Sequence, residues 1–452
     1  YTMDQVQLKC KPRFYHEYAL SKLDNEGYKI AVCSNSVRHS IEVMMEKANL
    51  TKYLSFFLIS LLMISCGKEV NSLKEGSWRA TLDLGEGKEL PFLLSYTTDK
   101  GFIIYNSEEK VEVPDVKMKG DSITIGMQVF EGVFKGVFSE TQINGDFIIP
   151  SLNRIVPFEM KHTDTPRFSS SEKPSVQLTG NWEVVFSPDT PEDRYIAKGV
   201  FEQEGNLLTG TFRTETGDYR YLEGVVVKDS FKLSTFDGAH AFLFEGQIKD
   251  SLLSGTFYSG NHFKEPFIGK RNESFELPDA TTQTFLKEGY ERFDFSFPDA
   301  NGNLVSLSDE RFQGKVVLVQ IMGTWCPNCL DETKFYSSYY KEHDNPDLEI
   351  VSLAFEYAPT KEKAISGINR LIDRVGVPYP ILLAQYGSDS KKKANKKLPM
   401  LNHVLSYPTT VFIDKKGEVR RIHTGFNGPA TGDVYEDFVI EFDSFVQKLT
   451  AE

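Results

Sequence analysis

The chain has 452 residues, and at about 150 residues per domain this length predicts roughly three domains. Its 51 Lys and Arg against 64 Asp and Glu give a net charge of −13, which argues against nucleic acid as a partner because phosphate binding needs a basic face. Apolar residues form 40% of the chain and charged residues 25%, so disordered and collagen-like classes are excluded. No uncharged apolar run reaches the roughly 18–20 residues of a membrane-spanning helix.

Near the N-terminus, residues 54–66 form an apolar run without a charge, LSFFLISLLMISC. The run is too short to cross a bilayer but is typical of a secretory signal peptide. Its end, Met63-Ile64-Ser65-Cys66, resembles the lipobox of bacterial lipoproteins, in which the cysteine becomes the lipid-bearing N-terminus. We therefore predict a signal peptide at 45–66 with lipid attachment at Cys66. The alternative is a buried helix with a core cysteine.

Residues 1–53 raise a separate question. Their pattern of a helix, a strand at 29–33 and a Ser-Asn-Ser turn before another helix resembles a fragment of a haloacid-dehalogenase-type phosphatase, in which Ser34 would hold phosphate. The catalytic aspartate motif of that family is absent upstream, so the fragment predicts no catalysis. We interpret it as a fusion artefact or an untrimmed upstream sequence joined to the signal peptide. The alternative is a genuine extra domain, which an internal signal peptide disfavours.

The middle of the chain is rich in short strands of alternating polarity, spaced at roughly 8–12 residues, which predicts all-β sandwich or barrel-like modules. A Ser- and Pro-containing linker divides the strands into modules at 67–166 and 175–272. Gly76-Ser77-Trp78 resembles Gly180-Asn181-Trp182, so we interpret the two modules as related.

Two segments of the second module carry polar residues that would suit a pocket: Asp218, Tyr219, Arg220, Asp237 and His240. The same residues are also typical of hairpin turns whose charges face water. We favour the solvated turns.

In residues 285–452 strands alternate with helices, which predicts an α/β domain. An apolar strand at 315–321 leads into Cys326 and Cys329, and a helix follows to about residue 341. The N-terminus of a helix stabilises a thiolate, and one helical turn places the second cysteine where it resolves a mixed disulfide. Half a zinc site and a structural disulfide are the competing interpretations of the cysteine pair. Zinc needs further ligands, and the sequence has no second cysteine pair or His-x-x-x-His to supply them.

Residues of about 290–452 resemble the TlpA/ResA-like thiol–disulfide oxidoreductases, which have a thioredoxin fold and are related to the AhpC/TSA proteins. The resemblance depends on Trp325-Cys326-Pro327-Asn328-Cys329 and on the proline segment 406–412. It implies that Cys326 and Cys329 are catalytic. It also implies that Trp325, Pro327, Tyr407 and Pro408 position the substrate, with Pro408 facing the cysteine pair.

The resemblance also implies proton handling by Glu332, three residues after the second cysteine. Thioredoxin itself has a buried aspartate six residues before its first cysteine, where this chain has Gln320. The alternative for Glu332 is an acid of the first helical turn that stabilises the helix dipole. We weigh the two interpretations equally.

Together these patterns predict a disulfide reductase, lipid-anchored in the bacterial cell envelope and facing the periplasm. Its partners would be cysteine-containing envelope proteins and an upstream thiol electron donor, with no nucleic acid, no metal and no cofactor besides the Cys326–Cys329 pair. If the same exchange ran in reverse, the protein would be an oxidase, because the direction depends on redox potential. The alternative function is a ligand- or partner-binding envelope lipoprotein in which the thioredoxin domain is structural.

Overall fold

The structure, a computed structural model, describes residues 72–170 and 172–452. The predicted lipid-attachment residue Cys66, the signal peptide at 45–66 and the fragment at 1–53 lie outside the described residues. Two antiparallel sheets are followed by an α/β domain, which confirms the predicted fold class. Within the described ranges, no helix is both long enough and apolar enough to cross a membrane.

The first sheet has nine antiparallel strands in the order β4-β3-β2-β1-β9-β8-β7-β6-β5. Its edge strands, β4 and β5, are neighbours in the chain and are separated by Pro114. The strands are β1 (Gly76–Gly85), β2 (Lys88–Thr97), β3 (Gly101–Asn106), β4 (Glu109–Val113), β5 (Asp115–Lys119), β6 (Ser122–Gly126), β7 (Val133–Phe138), β8 (Gln142–Ile149) and β9 (Arg154–His162).

The second sheet closes into a barrel, because β11 pairs with both β10 and β12. Closure pairs the strand edges that an open sheet would leave free. The strands are β10 (Gly180–Phe186), β11 (Tyr195–Glu204), β12 (Leu207–Thr214), β13 (Gly217–Asp218), β14 (Leu222–Val227), β15 (Ser230–Phe236), β16 (Ala241–Lys249), β17 (Leu252–Ser259) and β18 (Phe263–Arg271). We call this closed sheet the second barrel, because it follows the first sheet in the chain. The short β13 pairs with β12.

A buried tryptophan occupies the same place in each sheet. Trp78 and Trp182 lie near the start of the strand that pairs with the last strand of its own sheet. Each indole N–H donates to the carbonyl four residues earlier, at 2.9 Å, from Trp78 to Lys74 and from Trp182 to Leu178. The two sheets therefore share a local anchor. The module boundaries drawn from the sequence stay predictions.

The α/β domain has a five-stranded sheet in the order β23-β22-β21-β24-β25, and a small hairpin precedes it. The central β21 is buried along its whole length, as a strand covered on both faces requires. The elements are β19 (Ser296–Pro298), β20 (Leu304–Ser306), β21 (Val316–Met322), α1 (Pro327–His343), β22 (Leu348–Phe355), α2 (Lys361–Val375), β23 (Ile381–Gln385), α3 (Lys391–Lys397), β24 (Thr409–Ile413), β25 (Val419–Thr424) and α4 (Asp433–Ala451).

Two arginine contacts join these parts. Arg167, buried between the two sheets, donates to the carbonyl of Pro91 at 3.3 Å on one side and to Glu223 at 3.2 Å on the other. From α2, the half-buried Arg370 donates to the carbonyl of Val129, in the loop between β6 and β7, at 2.5 Å. The two sheets therefore pack against one another, and the first part packs against the α/β domain.

Candidate active site

Cys326 and Cys329 form a disulfide at the start of α1, with their Cα atoms 5.2 Å apart. Cys326 is the N-cap residue, and its sulfur accepts the backbone N–H of Cys329 at 3.2 Å. The positive end of the helix dipole and this N–H both favour negative charge on the Cys326 sulfur. Cys326 is 7% exposed and Cys329 is fully buried, so Cys326 is the sulfur that a second molecule can reach.

The proline segment faces this sulfur. The Tyr407–Pro408 peptide bond is cis, and the Tyr407 carbonyl oxygen lies 3.4 Å from the Cys326 sulfur. Trp325 packs edge-on against the Tyr407 ring and donates its indole N–H to the carbonyl of Phe355 at 3.0 Å. The structure thus brings together the predicted positioning residues around Cys326, with Pro327 as the first residue of α1.

Glu332 lies beyond the first turn of α1 and is fully buried, so its interpretation as a first-turn acid is wrong. Its carboxylate accepts hydrogen bonds from Gln320 at 2.9 Å, from Tyr336 at 3.1 Å and from Thr410 at 3.1 Å. Burial raises the pKa of Glu332 from 4.5 to about 7, and the three hydrogen bonds oppose that rise. The carboxyl is therefore poised to exchange a proton near neutral pH.

Gln320 links Glu332 to the disulfide. Its amide nitrogen also lies 3.5 Å from the carbonyl oxygen of Cys329. Its amide oxygen accepts from Ser352 at 2.6 Å and from Thr333 at 3.2 Å, and its amide nitrogen faces Glu332. The carboxylate form of Glu332 therefore has an N–H donor.

A second buried carboxyl, that of Glu356, holds the backbone just before the active-site motif. Glu356 accepts hydrogen bonds from both the backbone N–H and the hydroxyl of Thr324, each at 2.8 Å. Burial raises the pKa of Glu356 to about 7. Glu356 was not predicted as a site residue, because β22 already contains another acid, Glu349, and nothing in the sequence distinguishes the two. Its bonds fix the backbone immediately before Trp325.

The second barrel contacts the motif itself through a turn at residues 217–220. The side-chain amide of Asn328 donates to the carbonyls of Asp218 at 3.1 Å and Phe426 at 3.3 Å. Gly217 is pressed against that amide, and a Cβ atom there would collide with it. Gly217 also has a φ of +136°, which disfavours any other residue. The turn therefore covers the Asn328 side of the cysteine pair.

Arg220 from the same turn reaches the start of α1. Its guanidinium forms ion pairs with Asp331 and Glu109 and lies 3.5 Å from a carboxylate oxygen of Asp237. One of its nitrogens is 3.5 Å from the carbonyl of Pro327. A positive charge from the second barrel is thus held beside the first turn of the helix that carries both cysteines.

The interpretation of this turn as solvated charge is wrong. Asp218, Arg220 and Asp237 are all buried, because the start of α1 covers the turn. Burial raises the pKa of Asp218, whose carboxylate accepts the backbone N–H of Gly428 at 2.6 Å. Sequence patterns within one module carry no information about which part of another domain will cover its turns.

Similarity to known proteins follows the same part of the chain. Residues 277–437 match the Redoxin family. The Thioredoxin-like protein YneN of Bacillus subtilis (strain 168) is 31% identical over 140 residues, covering 31% of this chain and 73% of that protein. The Thiol-disulfide oxidoreductase ResA of Geobacillus kaustophilus (strain HTA426) is 30% identical over 145 residues, covering 32% of this chain and 74% of that protein.

The chain belongs to the TlpA/ResA-like thiol–disulfide oxidoreductases. A solved structure of a thiol-disulfide oxidoreductase from Bacteroides fragilis NCTC 9343 matches with 18% identity and a TM-score of 0.25, covering 33% of this chain and 99% of that one. The predicted family is confirmed. The resemblance of residues 1–53 to a phosphatase fragment gains no support from these matches.

The chemistry available to this family member is two-electron exchange between a dithiol and a disulfide. No group of three or more His, Cys, Asp or Glu side chains placed to hold a metal ion occurs in residues 72–170 and 172–452. The expectation that the protein needs no cofactor besides its cysteine pair stays a prediction.

The raised pKa of Glu332 predicts a pH-dependent stability. Between pH 4.5 and about 7 the folded protein holds a proton that the unfolded chain releases, so stability falls as pH rises through this window. The difference between about 7 and 4.5 corresponds to at most about 3 kcal/mol, at ~1.4 kcal/mol per tenfold change in proton affinity. Glu332→Gln should remove the part of this decline that Glu332 contributes in denaturant melts of the oxidised protein, while the raised pKa of Glu356 continues to contribute its own part. Glu342→Gln, an exposed position on the same helix, should retain the whole decline.

The position of Arg220 predicts an effect on reduction potential. Arg220→Gln leaves the carboxylates of Asp331 and Glu109 uncompensated beside the N-terminus of α1, which destabilises the Cys326 thiolate and therefore the reduced form. We expect the potential to fall by about 30 mV, a tenfold change in the equilibrium constant. Equilibration of the purified protein with glutathione redox buffers measures it.

Two further variants distinguish an effect of charge from an effect of a loosened contact between the second barrel and α1. Asp331→Asn removes a negative charge and should raise the potential, whereas a loosened junction would shift both variants in the same direction. Arg167→Gln removes a buried arginine from the junction between the two sheets and should leave the potential unchanged. A fall in potential of the same size in Arg167→Gln would contradict the assignment to Arg220.

Proposed function

We propose that this protein is a disulfide reductase of the bacterial cell envelope that acts on cysteine-containing proteins. The observation that carries the proposal is the placement of Cys326 at the N-terminus of α1, 7% exposed and with its sulfur 3.4 Å from the Tyr407 carbonyl oxygen, while Cys329 is fully buried. Such an arrangement suits one attacking and one resolving cysteine.

The first step uses the reduced protein. The Cys326 thiolate attacks one sulfur of a substrate disulfide, forms a mixed disulfide and releases the other substrate sulfur as a thiolate. The helix N-terminus stabilises the attacking thiolate, and the Cys329 N–H is placed to donate to it. Trp325, Pro327, Tyr407 and Pro408 position the substrate chain around this sulfur.

The second step resolves the mixed disulfide. The Cys329 thiol loses its proton and attacks the Cys326 sulfur, which releases the substrate as a dithiol and leaves the Cys326–Cys329 disulfide. Two electrons have then passed from the protein to the substrate. Glu332 takes the Cys329 proton, since it lies three residues further along the same face of α1 and its pKa is about 7.

The location and the electron supply complete the proposal. Lipid attachment at Cys66 would hold the domains at a membrane facing the periplasm, where substrate proteins form disulfides. Because each turnover leaves the protein oxidised, an upstream thiol donor must return two electrons to Cys326–Cys329. No cofactor is needed for either exchange.

Substitution of the cysteines tests the reaction. The reduced wild type should reduce insulin, Cys326→Ser should be inactive, and Cys329→Ser should accumulate mixed disulfides that gel electrophoresis without reductant resolves. An absence of turnover in the wild type, with no adducts in Cys329→Ser, would instead favour a binding lipoprotein whose disulfide is idle. Thiol trapping in intact cells then gives the direction, since a reductase is held mostly reduced.

Glu332→Gln tests proton transfer. The carboxylate form, which accepts the Cys329 proton, increases as pH rises through about 7, so the rate of resolution should rise through the same range. Glu332→Gln should lose this inflection and slow resolution by about 100-fold at pH 7.5. Glu356→Gln is the matched control, since Glu356 is equally buried with its pKa raised to about 7, yet bonds Thr324. If the inflection were lost in Glu356→Gln and kept in Glu332→Gln, Glu332 would not be the proton acceptor.

A further inference from the structure

A cavity of about 480 Å³ opens beside Trp325, the residue that precedes the attacking cysteine. All three parts of the described chain contribute to it, so it exists only because the two sheets pack against the α/β domain. Aromatic rings dominate its walls: Phe130, Tyr219, Phe242, Phe257, Trp325 and Tyr357. Its size lies in the range of ligand sites, which are typically concave and largely apolar.

The aromatic walls are held in place by their neighbours. The His240 ring stacks on Phe242 at 4.3 Å and is bound to Asp237 at 3.2 Å. Tyr219 packs against Phe242 with ring centroids 5.4 Å apart, and Trp325 against Tyr357 at 5.5 Å. The cavity is therefore formed before any ligand arrives, which reduces the entropy lost on binding.

The charged side chains that line the cavity disfavour acidic ligands. Glu131, Glu265 and Asp389 contribute three carboxyl groups, against the single guanidinium of Arg154. His262 adds no charge at neutral pH, because burial and the neighbouring Arg154 lower its pKa to about 4. Excess negative charge disfavours an acidic small disulfide such as oxidised glutathione and accepts an uncharged or basic segment of polypeptide.

The other flank of the motif is covered. Asn328 is bonded to the 217–220 turn and to Phe426, and Gly217 leaves no room beside it. A polypeptide that approaches the Cys326 sulfur over the Trp325 side brings the side chains next to its cysteine to the cavity. Phe263, which also lines the cavity, is 49% exposed and offers further apolar contact to that polypeptide.

We propose that this cavity is a substrate-specificity site, which takes an aromatic or large aliphatic side chain adjacent to the target cysteine of an extended polypeptide. The inference rests on the proposed reductase function and names its substrate class. Tyr219 and His240 of the second barrel thereby become part of substrate recognition. The two β parts act as the specificity element of a redox domain.

The test compares two peptides that differ only in the residues flanking one cysteine, which is held in a mixed disulfide with 2-mercaptoethanol. One peptide has Trp on both sides and the other has Gly. Release of the peptide thiol by the reduced full-length protein is followed after acid quench by chromatography. The wild type should favour the Trp peptide by about tenfold or more, the selectivity that an apolar pocket provides.

Ala239 lines the cavity, and Ala239→Phe places a ring in the space that the substrate side chain would occupy, so the ratio of the two rates should fall toward one. Phe263→Ser, at an exposed position that tolerates substitution, should lower the ratio if Ala239→Phe does not fold. Ala300→Phe, on the hairpin that joins β19 and β20, is the matched control and should keep the wild-type ratio.

Each outcome separates this inference from the function on which it rests. Release of thiol from both peptides at equal rates in the wild type would overturn the specificity site and leave the reductase in place. A preference for Trp that survives both cavity variants would place the side chain elsewhere, such as the cavity bordered by Pro327 and Asp331, and would also overturn it. No release from either peptide would overturn the reductase function itself.

Discussion

The contact between the 217–220 turn and the start of α1 is the interaction on which the rest of the arrangement depends. It bonds Asn328, inside the active-site motif, to the backbone of the second barrel, and it places the Arg220 guanidinium beside Asp331. Because these groups are buried, their pairing is far more sensitive to geometry than a surface ion pair would be. The redox helix, the barrel and the cavity beside Trp325 therefore form one unit.

The electrostatics of the two sides of the cysteine pair differ in kind. On the side of Asn328, formal charges are paired and buried around Arg220. On the side of the sheet, Glu332 has hydrogen-bond donors and no cation among its bonded partners in the described residues, so its proton affinity is set by burial against hydrogen bonding. The first arrangement places paired charges beside the start of α1, and the second holds a carboxyl whose pKa of about 7 lets it exchange a proton near neutral pH.

Sequence reasoning predicted the local features and missed those that depend on docking. The Cys326–Cys329 pair, the helix after it and the segment around Pro408 follow from short-range patterns, and each lies where predicted. The buried state of Glu332 and the closure of the second barrel depend on contacts between distant segments. The burial of Arg220 was not predicted for the same reason, since the sequence of a charged turn is the same whether water or another domain covers it.

Thioredoxin has a buried aspartate at the position of Gln320 on β21, whereas the buried acid of this chain, Glu332, lies on α1. This difference changes how the site responds to a movement of the helix. Cys329 and Glu332 lie on the same helix, so helical geometry sets the spacing of their Cα atoms. A small slide of α1 across β21 would keep Glu332 next to Cys329, but it would change the bonds of Glu332 to Gln320 and Thr410 together with the contact of Cys326 with Tyr407. Any remodelling of the binding face that moves α1 against the sheet therefore also retunes the proton affinity of the acid behind it.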